Sequence, residues 1–228
     1  MIEHVYRRAA AARGVDAVVV ATDDARIALT VERFGGVARM TRSIHPTGTD
    51  RLAEVATELT CDIVVNVQGD EPLIEPEMIA QVISPFENDP SLQISTLRQR
   101  ITRAADYSDP NVVKVVTDED GNAMYFSRSP IPFVRNRGAA LAGTVSAPHV
   151  GIPAWKHVGI YGYRRDFVHT FANLPQTTLE VAESLEQLRA LEHGYRIRTV
   201  ETQYESIGVD TPEDLERVRQ LLAAPTRA

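Results

Sequence analysis

Apolar positions along the chain alternate between short unbroken runs and runs spaced by three and four residues. Ile2, Val5, Tyr6 and Ala9 recur at helical spacing and Gly14 stands where such a helix ends, so the first element is predicted to be a helix. Ala17 to Ala21 (AVVVA) is apolar throughout, as a strand buried on both faces requires. Thr22-Asp23-Asp24 then offers caps for a helix reaching to about Phe34, which Gly35-Gly36 stops. Val37 to Met40 makes a third short element, and the polar stretch Thr41 to Gly48 leads into a helix with Leu52, Val55, Ala56 and Leu59 on one face. Ile63 to Val67 reads as the next buried strand. A helix over 76–83 follows, with Pro76 in its first turn, and Leu92 to Leu97 alternates more weakly.

From Asn111 the texture changes to paired strands. Val112 to Val116 and Ala123 to Phe126 flank Asp118-Glu-Asp-Gly121, a hairpin turn sequence. Residues 135–153, rich in Gly, Ala and Pro without periodicity, are expected to form a mobile loop. Val158 to Tyr163 then reads as a strand, 165–173 and 178–193 as helices, Tyr195 to Val200 as a strand and 212–223 as a helix capped by Thr211. Strands alternating with helices predict an α/β fold: a doubly wound, predominantly parallel sheet in one domain over 1–228, with a β-lobe inserted around 108–163. Ligands of such sheets bind at the carboxyl ends of the strands, here Thr22-Asp23-Asp24, Thr41-Arg42 and Gln68 to Pro72.

Composition narrows the function. Hydrophobic residues make up 43% of the 228 positions, enough for a substantial core. A net charge of −7 has the wrong sign for a protein that lives on nucleic acid, so no nucleic-acid partner is expected. The single cysteine, Cys61, cannot form an intrachain disulfide or a cysteine zinc site. No run is long enough for a membrane span and no leader pattern opens the sequence, so the protein is expected in the cytoplasm, off the membrane.

The strongest local chemistry lies in Val64 to Pro72, where a buried strand delivers Asp70 and Glu71 through Gly69. Hard carboxylate oxygens at a strand end suit Mg²⁺, although Asp70 could equally cap the following helix. Asp210, in Ser206 to Leu215, could complete that site or serve as a helix cap ahead of Pro212. Arg42, His45, Thr47 and Arg51 cluster around Gly48-Thr49 just before a helix, an arrangement suited to a nucleotide or to a solvated loop. The chain contains neither the glycine-rich dinucleotide fingerprint nor the Walker loop. On the 178–193 helix, Glu186 and Arg189 fall in or beside the apolar arc of Val181, Ala182, Leu185 and Leu188, while Gln187 falls on the solvent side. Glu186 is then either half of an i,i+3 ion pair or a carboxylate held for substrate hydroxyls. His157 and Tyr161 share strand parity and point to one face.

Taken together, Thr47-Gly-Thr-Asp-Arg-Leu-Ala53, Val65-Asn-Val-Gln-Gly-Asp-Glu-Pro72, Asn111-Val-Val-Lys-Val-Val116, Tyr125-Phe-Ser-Arg128, His157-Val-Gly-Ile-Tyr-Gly-Tyr163, Leu185-Glu-Gln-Leu-Arg189 and Gly208-Val-Asp-Thr-Pro-Glu-Asp-Leu-Glu216 closely resemble the 3-deoxy-manno-octulosonate (KDO) cytidylyltransferases of Gram-negative bacteria. The resemblance spans nearly the whole chain. It implies transfer of CMP from CTP to the anomeric hydroxyl of KDO for lipopolysaccharide biosynthesis, with pyrophosphate released and Mg²⁺ required. By position it makes Asp70 and Asp210 the metal ligands, lines the sugar site with Gln68, His157, Tyr161, Glu186 and Gln187, and puts Arg42, Thr47 and Gly48 in the cytidine pocket. A homodimer through the β-lobe is also implied. Members of the family begin with a strand and a triphosphate-holding loop, and Met1 here stands where that segment ends. This chain is therefore expected to lack both, to carry an interruption in mid-sheet and to turn over poorly. Transfer to another sugar acid such as sialate, or a non-catalytic sugar-binding role, stays open at this point.

Overall fold

The computed structural model describes residues 1–45, 47–135, 153–205, 207–209 and 211–223. In chain order the elements are α1 (Ile2–Ala10), β1 (Val19–Thr22), α2 (Ala25–Arg33), β2 (Val37–Met40), α3 (Gly48–Ala56), β3 (Ile63–Asn66), α4 (Pro76–Ile83), α5 (Pro85–Asn88), β4 (Ile94–Arg100), α6 (Ala104–Ser108), β5 (Lys114–Thr117), β6 (Ala123–Ser127), β7 (Trp155–Arg164), α7 (Arg165–Asn173), α8 (Thr178–Glu183), α9 (Gln187–Glu192), β8 (Ile197–Glu201) and α10 (Pro212–Ala223). The α/β character read from the sequence is borne out. The loop expected over 135–153 falls, apart from its end residues, outside the described residues.

Among the described residues the strands form two separate sheets. β1 and β2 make a parallel pair of their own, and the other six run in the order β6-β5-β7-β4-β8 with β3 paired to β7. Within the larger sheet β3, β4, β5 and β8 share one direction, and β7 and β6 run against it. β7 is ten residues long and is the seam of the molecule. Its first residues, Trp155 and Lys156, pair with β5, its last four pair with β3, and β4 runs along its other edge. The strand read as part of the lobe thus lies at the centre of the sheet.

Helices cover both faces of the larger sheet. On one face Ile74, Met78, Ile79 and Val82 from α4 and its approach pack on Leu97 and Ile160. On the other, Ala53 and Ala56 of α3 and Phe167, Val168 and Phe171 of α7 pack on Val64, Ile94, Tyr163 and Ile197. Each of the larger aliphatic and phenylalanine side chains among these contributes about 1.5–3 kcal/mol. Gly162 is what lets α4 lie so close to β7, because a Cβ there would sit 2.7 Å from Val82 Cγ1 and 2.8 Å from Ser95 Oγ. Among the described residues no helix is long and apolar enough to cross a membrane.

The β5–β6 hairpin turns at Gly121, whose φ of 82° is the left-handed conformation that favours glycine, and Asp118 Oδ1 accepts the Asn122 N–H at 2.7 Å. Lys114 at the hairpin base is fully buried. Its ammonium donates to the carbonyls of Asp109 (2.8 Å), Val112 (2.5 Å) and Arg128 (2.6 Å).

One predicted element differs. The helix expected over 178–193 is broken: α8 ends at Glu183, Ser184 takes a left-handed backbone (φ 52°, ψ 51°), and α9 restarts at Gln187. The cause is tertiary. Arg128 Nε donates to the Glu183 carbonyl at 2.7 Å and Nη2 to the Ser184 carbonyl at 3.4 Å, holding the end of α8 from another part of the chain. The break turns the two halves relative to one another, so that Gln187 of α9, expected toward solvent, is buried while Val181 of α8, expected in the apolar arc, is exposed. A non-glycine residue in the left-handed region costs about 1–2 kcal/mol, and serine bears this better than a β-branched side chain. Ser184→Gly should therefore leave denaturant stability unchanged or raise it by up to about 1 kcal/mol, and Ser184→Val should lower it by about 1–2 kcal/mol. Equal midpoints for the two variants would show that the turn carries no strain.

Candidate active site

The polar loop after β3 carries Gln68, Gly69 and Asp70 out of the sheet. Asp70 is half-buried, and its carbonyl accepts the Val209 N–H at 2.9 Å, which brings the 207–209 segment alongside it. Asp210 itself lies outside the described residues. Gln68 is exposed and its Nε2 donates to Asn66 Oδ1 at 3.3 Å. Gly48 faces that amide: a Cβ on it would lie 3.5 Å from Gln68 Nε2. The predicted nucleotide loop and the predicted metal strand end therefore meet at Gly48 and Gln68.

Thr47 is the N-cap of α3, its hydroxyl accepting the Asp50 N–H at 3.2 Å. The same hydroxyl lies 2.7 Å from Asp50 Oδ2 and 3.1 Å from Glu186 Oε1. Thr49, in the first turn of the helix, donates to Glu186 Oε2 at 2.7 Å. Further along α3, Glu54 binds Arg42 Nε at 3.2 Å and the His45 ring, and the His45 hydrogen bond leads the causes that hold the Glu54 carboxyl below its usual range. Arg51 reaches back to Thr41 and, at 3.3 Å, to Asp23 at the end of β1. Arg42 keeps most of its side chain in solvent.

β7 supplies the opposite wall. His157 and Tyr161 do share a face, with ring centroids 5.3 Å apart, and Tyr163 stacks beyond Tyr161 at 5.9 Å. The Thr96 hydroxyl lies 2.9 Å from His157 Nε2 and 2.8 Å from the Ile160 carbonyl. A hydroxyl has one proton, and a carbonyl can only accept, so we assign the Thr96 proton to Ile160 and the ring proton to Nε2. Burial pushes the His157 imidazole down to about 3, so the ring is neutral near pH 7. Burial also raises both phenols, with the Glu186 charge adding to the effect, so Tyr161 and Tyr163 stay protonated.

The depressed imidazole makes a stability prediction. A folded value of about 3 against an ordinary 6.5 means the unfolded chain binds this proton more readily. The contribution is present above pH 6.5 and is lost as pH falls toward 3, by about 1.4 kcal/mol per unit. Wild type and His157→Gln should thus converge in stability on acidification across that window. A constant gap between their unfolding midpoints would contradict a buried neutral ring.

Glu186 sits at the N-cap of α9, directly after the Ser184 turn, rather than inside a continuous helix. Its i,i+3 partner Arg189 approaches at 3.8 Å but makes its closer contacts with Glu180, from Nε at 2.9 Å and through a shorter Nη2 bond. Burial would raise the Glu180 carboxyl, but the Arg189 and Thr177 N–H hydrogen bonds hold it below its usual range. Neither predicted reading of Glu186 is complete, since Arg189 is paired elsewhere and the carboxylate is held by threonines. Thr49, Tyr163 and Glu180 were not singled out from the sequence. Tyr163 shares the parity of His157 and Tyr161, and Thr177 with Glu180 has capping-box spacing, so both carried a usable signal.

The model of the family described as "Cytidylyltransferase" matches residues 1–200. The chain belongs to the cytidylyltransferase family. Among its relatives, a 3-deoxy-manno-octulosonate cytidylyltransferase of Pelobacter propionicus is 59% identical over 98% of this chain and 88% of its own. One of Geobacter sulfurreducens is 57% identical over 97% and 88%. A solved structure of CMP:2-keto-3-deoxy-manno-octonic acid synthetase complexed with CTP superposes with a TM-score of 0.88 at 46% identity, covering 97% of this chain and 87% of that one. A 4-diphosphocytidyl-2C-methyl-D-erythritol synthase of Anaerococcus prevotii, 12% identical with a TM-score of 0.60, shares the fold over 98% of this chain and 86% of its own. In this cytidylyltransferase Thr47, Gly48, Gln68 and Glu186 are brought into one cluster, with Tyr161 beside Glu186 and His157 beside Tyr161. Gln187 is buried behind them, and Arg42 stands apart on the α3 side, bound to Glu54.

Proposed function

We propose that the protein transfers CMP from CTP to the anomeric hydroxyl of KDO and releases pyrophosphate. The observation that carries this reading is the Glu186 carboxylate, which joins the Thr47 loop to the wall of Tyr161 and so sits where a nucleotide and a polyhydroxy acid would abut. The names of relatives more than half identical over nearly the whole chain support the same reaction. Arg42, Thr47 and Gly48 bind the cytidine side. Gln68, His157, Tyr161, Glu186 and Gln187 receive the sugar: Glu186 accepts hydroxyl protons, Tyr161 donates, and the neutral His157 ring orients without adding charge. The sugar hydroxyl attacks the α-phosphorus as the bond to the pyrophosphate oxygen breaks in line.

The half-buried Asp70 carboxylate beside the 207–209 segment is a hard-oxygen donor that fits Mg²⁺, with Asp210 as second ligand. When bound, that ion supplies charge neutralisation for the triphosphate. We further propose one nucleotidyltransferase unit over 1–228 working in the cytoplasm as a homodimer through the β-lobe. Met124, a large apolar side chain left exposed on β6 of the lobe, supports that interface. Pyrophosphate release from CTP measured with KDO and with sialate tests the assignment, with turnover expected for KDO. Turnover with sialate alone, or none with either sugar, overturns it.

A further inference from the structure

We infer that Arg189 is a positioning residue for Glu186, acting from a fixed point that Glu180 supplies. The inference rests on the reading of Glu186 as a carboxylate that meets the sugar. The Arg189 side chain is 10% exposed and that of Glu180 5%, against 27% for Glu186. Arg189 gives Nε and Nη2 to Glu180, and its guanidinium lies over the Phe171 ring at 5.4 Å. Glu180 is pinned in turn by the Thr177 N–H at 3.2 Å. The guanidinium is thereby fixed in plane and in place, with Nη2 3.8 Å from Glu186 Oε1.

Glu186 needs such a fixed charge. It follows a left-handed turn at Ser184, and its other restraints are two hydroxyls, Thr47 on Oε1 at 3.1 Å and Thr49 on Oε2 at 2.7 Å. The Thr47 hydroxyl has a single proton and a second carboxylate, Asp50, closer at 2.7 Å, so its hold on Glu186 is shared. Arg189 supplies a positive charge that does not have to choose. A carboxylate has about four lone-pair sites, and those not occupied by the threonines are left for hydroxyls on the substrate side. Were the Glu180–Arg189 pair only a packing device, apolar residues of like volume would replace it at little cost, as buried ion pairs elsewhere tolerate. A positioning role requires instead that sugar recognition be lost while the fold survives.

The experiment compares wild type, Glu186→Gln, Arg189→Lys, the paired Glu180→Leu/Arg189→Met replacement, and Glu186→Gln combined with each of the last two. KM for KDO and KM for CTP are measured separately, and circular dichroism confirms the fold. Lysine keeps the charge but lacks the planar fork, and the apolar pair guards against a variant that fails to fold. We expect Arg189→Lys and the apolar pair each to raise the KDO KM by about tenfold, to leave the CTP KM within about twofold, and to add nothing once Glu186 is glutamine. An unchanged KDO KM in both Arg189 variants, with a raised one in Glu186→Gln, overturns the inference and leaves the sugar-site reading intact. Effects that add fully to Glu186→Gln also overturn it, because they mark a general loosening. An unchanged KDO KM in Glu186→Gln overturns the reading itself and the inference with it.

Discussion

Asp70→Asn is expected to lower CTP-dependent pyrophosphate release by about a thousandfold while leaving the unfolding midpoint nearly unchanged. The two halves of that expectation come from different atoms of one residue. Its backbone carbonyl supports the fold by accepting the Val209 N–H at 2.9 Å, and an amide side chain leaves this bond untouched. Its carboxylate, half-buried at the end of β3, accepts no hydrogen bond among the described residues and is free to meet a cation. Asparagine is nearly isosteric but uncharged, so a hard divalent ion loses most of its attraction at that position. Kinetics at ordinary Mg²⁺ beside thermal unfolding checks both halves. Near-normal turnover would remove Asp70 from the metal site, and a large drop in stability would mean the carboxylate caps the following loop instead.

Lys114→Met should destabilise the protein by about 3–5 kcal/mol, measured as a shift of the urea midpoint at constant slope. The ammonium is fully buried and satisfies three backbone carbonyls, on Asp109, Val112 and Arg128. Methionine fills the volume but leaves those acceptors unpaired in a site closed to water, at about 1–3 kcal/mol each before relaxation. Burial already draws the lysine below its usual value, with the nearby charges of Asp109 and Glu183 opposing that shift. The damage should also spread. Arg128 is held through its carbonyl by Lys114 and in turn holds the end of α8, so loosening it frees the Ser184 turn and the carboxylate that follows. A loss below about 1 kcal/mol would show that water reaches those carbonyls.

Elements whose burial is simple were readable in the sequence. β1 and β3 are unbroken apolar runs, and α3 and α4 carry one clear apolar stripe with a threonine cap or an N-terminal proline. The α8–α9 break was not readable, because Val181, Ala182, Leu185 and Leu188 keep helical spacing straight through Ser184. What ends the ladder is Arg128, 55 positions away from Glu183, and no local pattern reports a bond of that separation. The role of β7 was hidden for a related reason. Its sequence looks like one more lobe strand, yet its length lets β3, β4 and β5 all pair with it. In the site, Thr47 was visible as part of the polar cluster ahead of a helix and His157 with Tyr161 as one face. Glu186 stood out as a charge in an apolar arc, although the arc itself was an artefact of the unbroken helix. Thr49 gave no signal, since a threonine inside the first turn of a helix is ordinary until a carboxylate arrives from a segment 137 positions away.

The division of the strands into two sheets bears on how the cleft is held together. A sheet hydrogen-bonded across its whole width behaves as one plate, whereas among the described residues no ladder bond joins β1–β2 to the larger piece. One link is α1, which packs Ala9 in the core of α4 while the Tyr6 hydroxyl accepts the Val37 N–H at 3.3 Å, and another is α3. That helix is seated in the large core by Ala53 and Ala56, grips Glu186 through Thr47 and Thr49 at its front, and reaches the small sheet through Arg51 to Asp23 and Glu54 to Arg42. These links are side-chain contacts, which can lengthen and reform without breaking a backbone ladder. The two pieces thus share α3 as a common support, with Arg42 bound to it on the small-sheet side and Glu186, beside Tyr161, bound to it on the larger one.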